Sequence, residues 1–179
     1  MSEIIAPILL LGYGNPSRGD DGLGPALIAA IEKYSLEGVT VDANFQLSLE
    51  DAKTITEYGT VIFADASTKC QSPFTFEKID ETGNSAIGWT SHSIKPRQVV
   101  TLANDLFHCR MEAYELAIRG YEFGDFCEEL SSEAKTNLSQ ALDFIRRVVS
   151  KRNATLPASD SPISAAGTTL GSMNRKAKP

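Results

Sequence analysis

Three residues have the types best suited to carry chemistry in this chain: Asp21, Asp65 and His92. Asp21 closes the Asp20-Asp21 pair in a glycine-rich stretch, Gly12-Tyr13-Gly14-Asn15-Pro16-Ser17-Arg18-Gly19-Asp20-Asp21-Gly22-Leu23-Gly24. Asp65 follows the apolar run Val61-Ile62-Phe63-Ala64. That position is the carboxyl end of a buried strand, where open α/β sheets carry their sites. If the strand order begins 2-1-3, strands one and three are neighbours and Asp21 faces Asp65 across one crevice. His92 lies in the polar stretch Thr90-Ser91-His92-Ser93-Ile94-Lys95-Pro96, just ahead of a helix. Two carboxylates and one imidazole suit a borderline divalent ion such as nickel or zinc, with positions left open for a substrate or water. The other histidine, His108, reads as structural or solvated.

Each residue has a plainer reading. Asp20 or Asp21 caps the following helix, since one carboxylate suffices for that and two adjacent ones repel. Asp65 caps the turn after its strand. The loop also admits a dinucleotide reading, with Gly12-Tyr13-Gly14 as G-x-G and Asp42 holding a ribose. Against it, Ser17 stands where the fingerprint has its third glycine. A pyrophosphate would moreover sit at the helix N-terminus, where Asp20 and Asp21 already repel it. The Walker A lysine is missing as well.

The elements that must position these residues follow from periodicity. Pro7 to Tyr13 and Thr60 to Ser67 are nearly continuous apolar runs, as expected of parallel strands buried on both faces. Pro25 to Tyr34 reads as a helix opened by proline, and Val39 to Val41 as the start of a second strand. Leu49 to Tyr58 reads as a helix ended by Gly59. Phe74 to Phe76 reads as an edge strand, Val99 to Phe107 as an amphipathic helix, and Tyr114 to Tyr121 as a strand. Ser131 or Ser132 caps a last helix with Leu138, Leu142, Ile145 and Val149 on one face. Alternating strands and helices predict an α/β fold. It is a single-domain, three-layer, open and mostly parallel twisted sheet with helices on both faces and one antiparallel edge strand. The domain is expected over 1–152. Residues 153–179, rich in Ser, Thr, Ala, Pro and Gly, read as a flexible low-complexity tail.

Composition narrows the function. A formal net charge of -6 argues against nucleic acid as the main partner. No apolar run is long enough to span a bilayer. The opening Met1-Ser2-Glu3 lacks the basic region of a signal peptide, so the cytoplasm is the expected location. Cys70, Cys109 and Cys127 are scattered and odd in number, which fits reduced thiols rather than a disulfide framework or a thiolate zinc site. G-x-S-x-G, H-E-x-x-H and paired D-[ST]-G signatures are all missing, which argues against the common hydrolase mechanisms.

Taken together, Gly12-Tyr13-Gly14-Asn15, the Asp20-Asp21 pair with Gly22 to Gly24, the strand end Asp65-Ala66 and a histidine before a proline-containing helix start resemble the maturation endopeptidases of nickel–iron hydrogenases. The resemblance spans about residues 7 to 150. It implies a hydrolase that removes the C-terminal extension of a hydrogenase large-subunit precursor after nickel insertion. In that family the second acid of the pair, the strand-end aspartate and the histidine surround a metal position, which here are Asp21, Asp65 and His92. Many members place the histidine directly after the proline, where this chain has Arg97. A subset carries it in a Ser-His-Ser context like Ser91-His92-Ser93, and this chain follows that subset. Many members also have glycines after the second strand, where this chain has Asn44-Phe45-Gln46-Leu47 with Glu50 nearby. Gln46, Asn15 and Asp20 are therefore expected to line the crevice.

The resemblance further implies nickel presented by the substrate, with zinc or cadmium substituting in vitro, and a monomeric enzyme with a protein substrate. Two mechanisms remain open: a metal-polarised carbonyl or metal-activated water, or Asp21 or Asp65 as general base with nickel serving recognition only. Two rival functions are a non-catalytic checkpoint that binds the nickel-loaded subunit without cutting it, and a dinucleotide-binding α/β protein.

Overall fold

The structure, a computed structural model, describes residues 7–80, 94–124 and 126–154, the last three of these in backbone only. Its centre is a five-stranded sheet in the order β2-β1-β3-β5-β4. Strands β1 (Ile8–Tyr13), β2 (Val39–Asn44), β3 (Thr60–Ser67) and β5 (Glu112–Arg119) run parallel. Strand β4 (Phe74–Lys78) pairs antiparallel with β5 at the edge. The order begins 2-1-3 as expected, so β1 and β3 are direct neighbours, with Leu11 opposite Phe63 and Gly12 opposite Ala64.

The apolar runs of β1 and β3 are buried on both faces because successive side chains alternate between two cores. Ile8, Leu10, Ile62 and Ala64 join Leu116 and Ile118 of β5 under α1 (Leu23–Glu32) and α4 (Ser132–Ala154). Leu9, Leu11, Val61 and Phe63 join Ala113 on the opposite face, under α2 (Asp51–Thr54) and α3 (Pro96–Phe107). The result is the expected three-layer α/β fold. Edge strand β4 is anchored by aromatics: Phe74 and Phe76 lie 5.0 and 5.1 Å from Phe144 of α4, and Phe76 stacks on Tyr114 at 5.1 Å.

Several boundaries differ from expectation for local reasons. Helix α1 starts at Leu23 rather than Pro25, and proline at the third position costs nothing because that N–H has no helical partner. The helix expected over 49–58 is only α2 followed by a 3₁₀ turn, Ile55–Glu57. There Asp51 turns back to accept from the Ser48 N–H at 2.6 Å and its hydroxyl at 3.2 Å, tying the first turn to the preceding loop. Strand β5 ends at Arg119, ahead of the expected Tyr121. Helix α4 continues through Ala154, over the first two residues of the expected tail, and residues 155–179 lie outside the described ones. None of the described helices is long and apolar enough to cross a membrane.

Candidate active site

The candidate site is the region at the carboxyl ends of β1 and β3, the switch point of the sheet. Backbone packing builds it. Gly24, in the first turn of α1, touches the carbonyls of Tyr13 and Ala64 so closely that a Cβ would collide with both. Gly12 is pressed against the Gly24 carbonyl in the same way. These glycines thus serve helix-on-strand contact. Gly14 has φ +136°, and a Cβ there would strike the Asp21 carbonyl. The chain can therefore fold back and place Asp21 over the strand ends.

Asp21 follows from that turn. The Asn15 N–H donates to its Oδ2 at 3.1 Å. The Asn15 side chain in turn accepts from the Ser17 N–H at 2.9 Å, which fixes the loop. Asp21 is half-buried, with its second oxygen not held by the loop amide. Asp65, at the end of β3, accepts from the Ala66 N–H at 2.7 Å and interacts with the Tyr13 hydroxyl. Its carboxyl is raised to about 7, chiefly by desolvation; the Ala66 amide and Tyr13 act to lower it, and Asp21 and Glu115 add to the rise. Asp21 and Asp65 are thus close enough to repel.

The two neighbours that shape Asp65 carry no sequence motif. Tyr13 ends β1, and its phenol is raised well above its ordinary value, first by burial and then by the negative charges of Asp65 and Glu115. Glu115, on β5 opposite Phe63, is raised by desolvation and by Glu77, with Lys95 acting the other way. Period-2 alternation puts Phe63, Asp65 and Glu115 on one face of the sheet. Finding Glu115 from sequence requires the β3–β5 pairing and its register, which no local pattern reveals.

The remaining candidates divide. Asp20 was expected to line the crevice, and one of the two acids to cap the next helix. Instead Asp20 is fully buried. Its Oδ2 accepts from the N–H groups of Tyr121 (2.7 Å) and Glu122 (2.9 Å) and from the Ser131 hydroxyl (2.8 Å), and its Oδ1 from the Ser131 N–H (2.7 Å). Helix α1 is capped by Gly22 with no side-chain hydrogen bond. Gln46 is exposed in the bend after β2, next to Asn44, whose carbonyl accepts from the Gly14 N–H at 3.1 Å. His92 lies outside the described residues. Among the described residues no group of three His, Cys, Asp or Glu side chains is arranged to hold a metal ion. The structure brings together the two carboxylates of the expected set. The charge of Asp21 adds to the rise of the Asp65 carboxyl, a like-charge condition that a divalent cation relieves.

No protein-family model matches the chain, and no curated protein matches it by sequence. Solved structures do match. The [NiFe] hydrogenase maturation protease HycI from Thermococcus kodakarensis superposes with a TM-score of 0.65 at 18% identity, over 83% of this chain and 95% of its own. The hydrogenase maturating endopeptidase HybD from E. coli gives 0.60 at 18% identity, over 82% and 93%. A hydrogenase 2 maturation peptidase from a Thaumarchaeota archaeon gives 0.59 at 20% identity, over 80% and 97%. The chain has the fold of these maturation peptidases. The likeness extends over nearly the full length of each of these structures.

Proposed function

We propose that this chain is a hydrolase, an endopeptidase that removes the C-terminal extension of a nickel–iron hydrogenase large-subunit precursor once nickel has been inserted. The observation that carries the reading is the meeting of Asp21 and Asp65 at the switch point of a fold shared with maturation proteases. Neither the checkpoint nor the dinucleotide alternative draws support from any feature of the site.

In this reading nickel arrives with the substrate, and Asp21, Asp65 and His92 complete its surroundings. Bound there, the ion would polarise the scissile carbonyl or an attacking water. Asp65 takes part as a carboxylate and therefore gives up its proton as the loaded substrate docks. If nickel served recognition only, the Asp65 carboxylate would instead accept a proton from the attacking water and pass it to the new amino terminus. Asp21 is held by the Asn15 amide through one oxygen, which would leave the other for the ion. Selectivity for loaded precursor follows: the cation offsets the charge of both carboxylates, whereas nickel-free precursor brings nothing for them to bind.

Incubating the purified chain with nickel-loaded and nickel-free precursor tests this reading. Shortening of the loaded form alone is expected. An intact loaded precursor after prolonged incubation would sink the peptidase reading.

A further inference from the structure

Tyr13 is the last residue of β1 and stands at the open position of Gly12-Tyr13-Gly14. Its ring packs against the core under α2 and α3, a place that phenylalanine would fill as well. The hydroxyl is what needs a reason, because a phenol taken out of water costs free energy unless it finds a partner. The partner is Asp65. Strands β1 and β3 pair with Gly12 opposite Ala64, so Tyr13 and Asp65 are the next residues along each strand. Alternation turns both side chains to the face of Leu11 and Phe63. There the Tyr13 hydroxyl donates to the Asp65 carboxylate.

The surroundings give this donor a direction. Asp65 Oδ1 already accepts from the Ala66 N–H at 2.7 Å. On the other flank β5 presents Glu115, level with Phe63, a like charge that opposes a turn of Asp65 toward β5. A donor on one side and a like charge on the other favour a carboxylate turned toward β1. The chain that leaves β1 carries Asp21. Its Gly14 N–H is fastened to the Asn44 carbonyl at 3.1 Å, and the Asn15 N–H donates to Asp21 Oδ2 at 3.1 Å. Residues 13 and 15 thus each hold one of the two carboxylates, with the fastened Gly14 between them.

We propose that Tyr13 is a positioning residue: its hydroxyl fixes the Asp65 carboxylate, and the run Tyr13-Gly14-Asn15 sets the spacing at which Asp65 and Asp21 receive the ion of the loaded substrate. The inference rests on the peptidase reading and names the group that keeps the second of its two carboxylates in place. Tyr13 acts through Asp65. Loss of a hydrogen bond that orients an ion-binding carboxylate costs about 10–100-fold in ion affinity or activity. A hydroxyl that served packing alone would leave the response to nickel unchanged.

The test measures binding and cleavage separately, on nickel-loaded and nickel-free precursor. It compares the wild type with Tyr13→Phe, which keeps the ring and removes the donor. Val149→Ala, a truncation in the core on the opposite face of the sheet, serves as a destabilised control. Thermal unfolding on the same samples shows that each variant is folded at the assay temperature. Tyr13→Phe should weaken Kd for loaded precursor about tenfold and lower kcat/KM at least as much, with the affinity for nickel-free precursor unchanged. Val149→Ala should keep the wild-type Kd and kcat/KM for loaded precursor. A Tyr13→Phe protein with wild-type Kd and kcat/KM overturns the positioning role, as do equal losses on loaded and nickel-free precursor; in both cases a wild type that cuts leaves the peptidase reading in place. A wild type that binds loaded precursor without cutting it, with binding still dependent on the Tyr13 hydroxyl, overturns the peptidase reading and leaves the positioning role. A wild type that neither binds nor cuts loaded precursor overturns both.

Discussion

Asp20 and Asp21 are adjacent in sequence and opposite in fate. Asp20 is fully buried and receives four hydrogen bonds that join the first loop to the segment after β5 and to the start of α4. Asp21, one residue on, is held by a single amide and faces Asp65. The difference shows how a carboxylate is assigned to structure or to chemistry. Where donors satisfy both oxygens, the charge is stabilised in place and is spent on the fold. Where an oxygen is left open and a like charge stands opposite, the pair is set to receive a cation or a proton.

The largest expected effect on stability breaks the structural half of this comparison. Asp20→Ala leaves the Tyr121, Glu122 and Ser131 donors without their acceptor and should destabilise the protein by about 3–5 kcal/mol in urea unfolding, because hydrogen bonds to charged groups are each worth about 1.5–3 kcal/mol. A loss under about 1 kcal/mol would mean that the bracket does not hold the loop.

The pH dependences should then have opposite signs. Desolvation alone would raise Asp20, but the Glu122, Tyr121 and Ser131 hydrogen bonds hold its carboxyl below the ordinary 3.8. Its contribution is present above that value and is lost on acidification through the lowered value. Asp65 is raised from 3.8 to about 7. Its contribution is full below about 3.8 and fades as pH rises to about 7. Asp65→Asn should therefore gain stability relative to the wild type between pH 4 and pH 8, on the order of 2–4 kcal/mol. Equal stability differences at both pH values would contradict the desolvated carboxyl.

Ser131→Ala removes an acceptor for the Ala134 N–H at 3.2 Å as well as one donor to Asp20, and should cost about 1–2 kcal/mol by thermal unfolding. Smallest of all, Asp21→Ala should change stability by less than about 0.5 kcal/mol, since it loses one loop hydrogen bond and a repulsion together.

The sheet was legible because its central strands are buried on both faces and so read as unbroken apolar runs. Thr60–Ser67 matches its expected bounds, and the strand order begins 2-1-3 as foreseen. The edge strand was legible from the polar flanks of Phe74 to Phe76. The role of Asp20 was not, because its partners lie about a hundred residues downstream, at 121, 122 and 131. Glu115 was hidden for the same reason: only the pairing of β3 with β5 brings it to Asp65. Long-range hydrogen bonds leave no periodic trace in sequence, whereas burial does.

The most direct test of the central claim is the rate at which Asp21→Ala and Asp65→Ala shorten nickel-loaded precursor, with thermal unfolding measured on the same samples. A loss of at least about a hundredfold in both is predicted, as for removal of a group that acts in the transition state, with the fold intact. Either variant cleaving at the wild-type rate would contradict the assignment of this crevice as the active site.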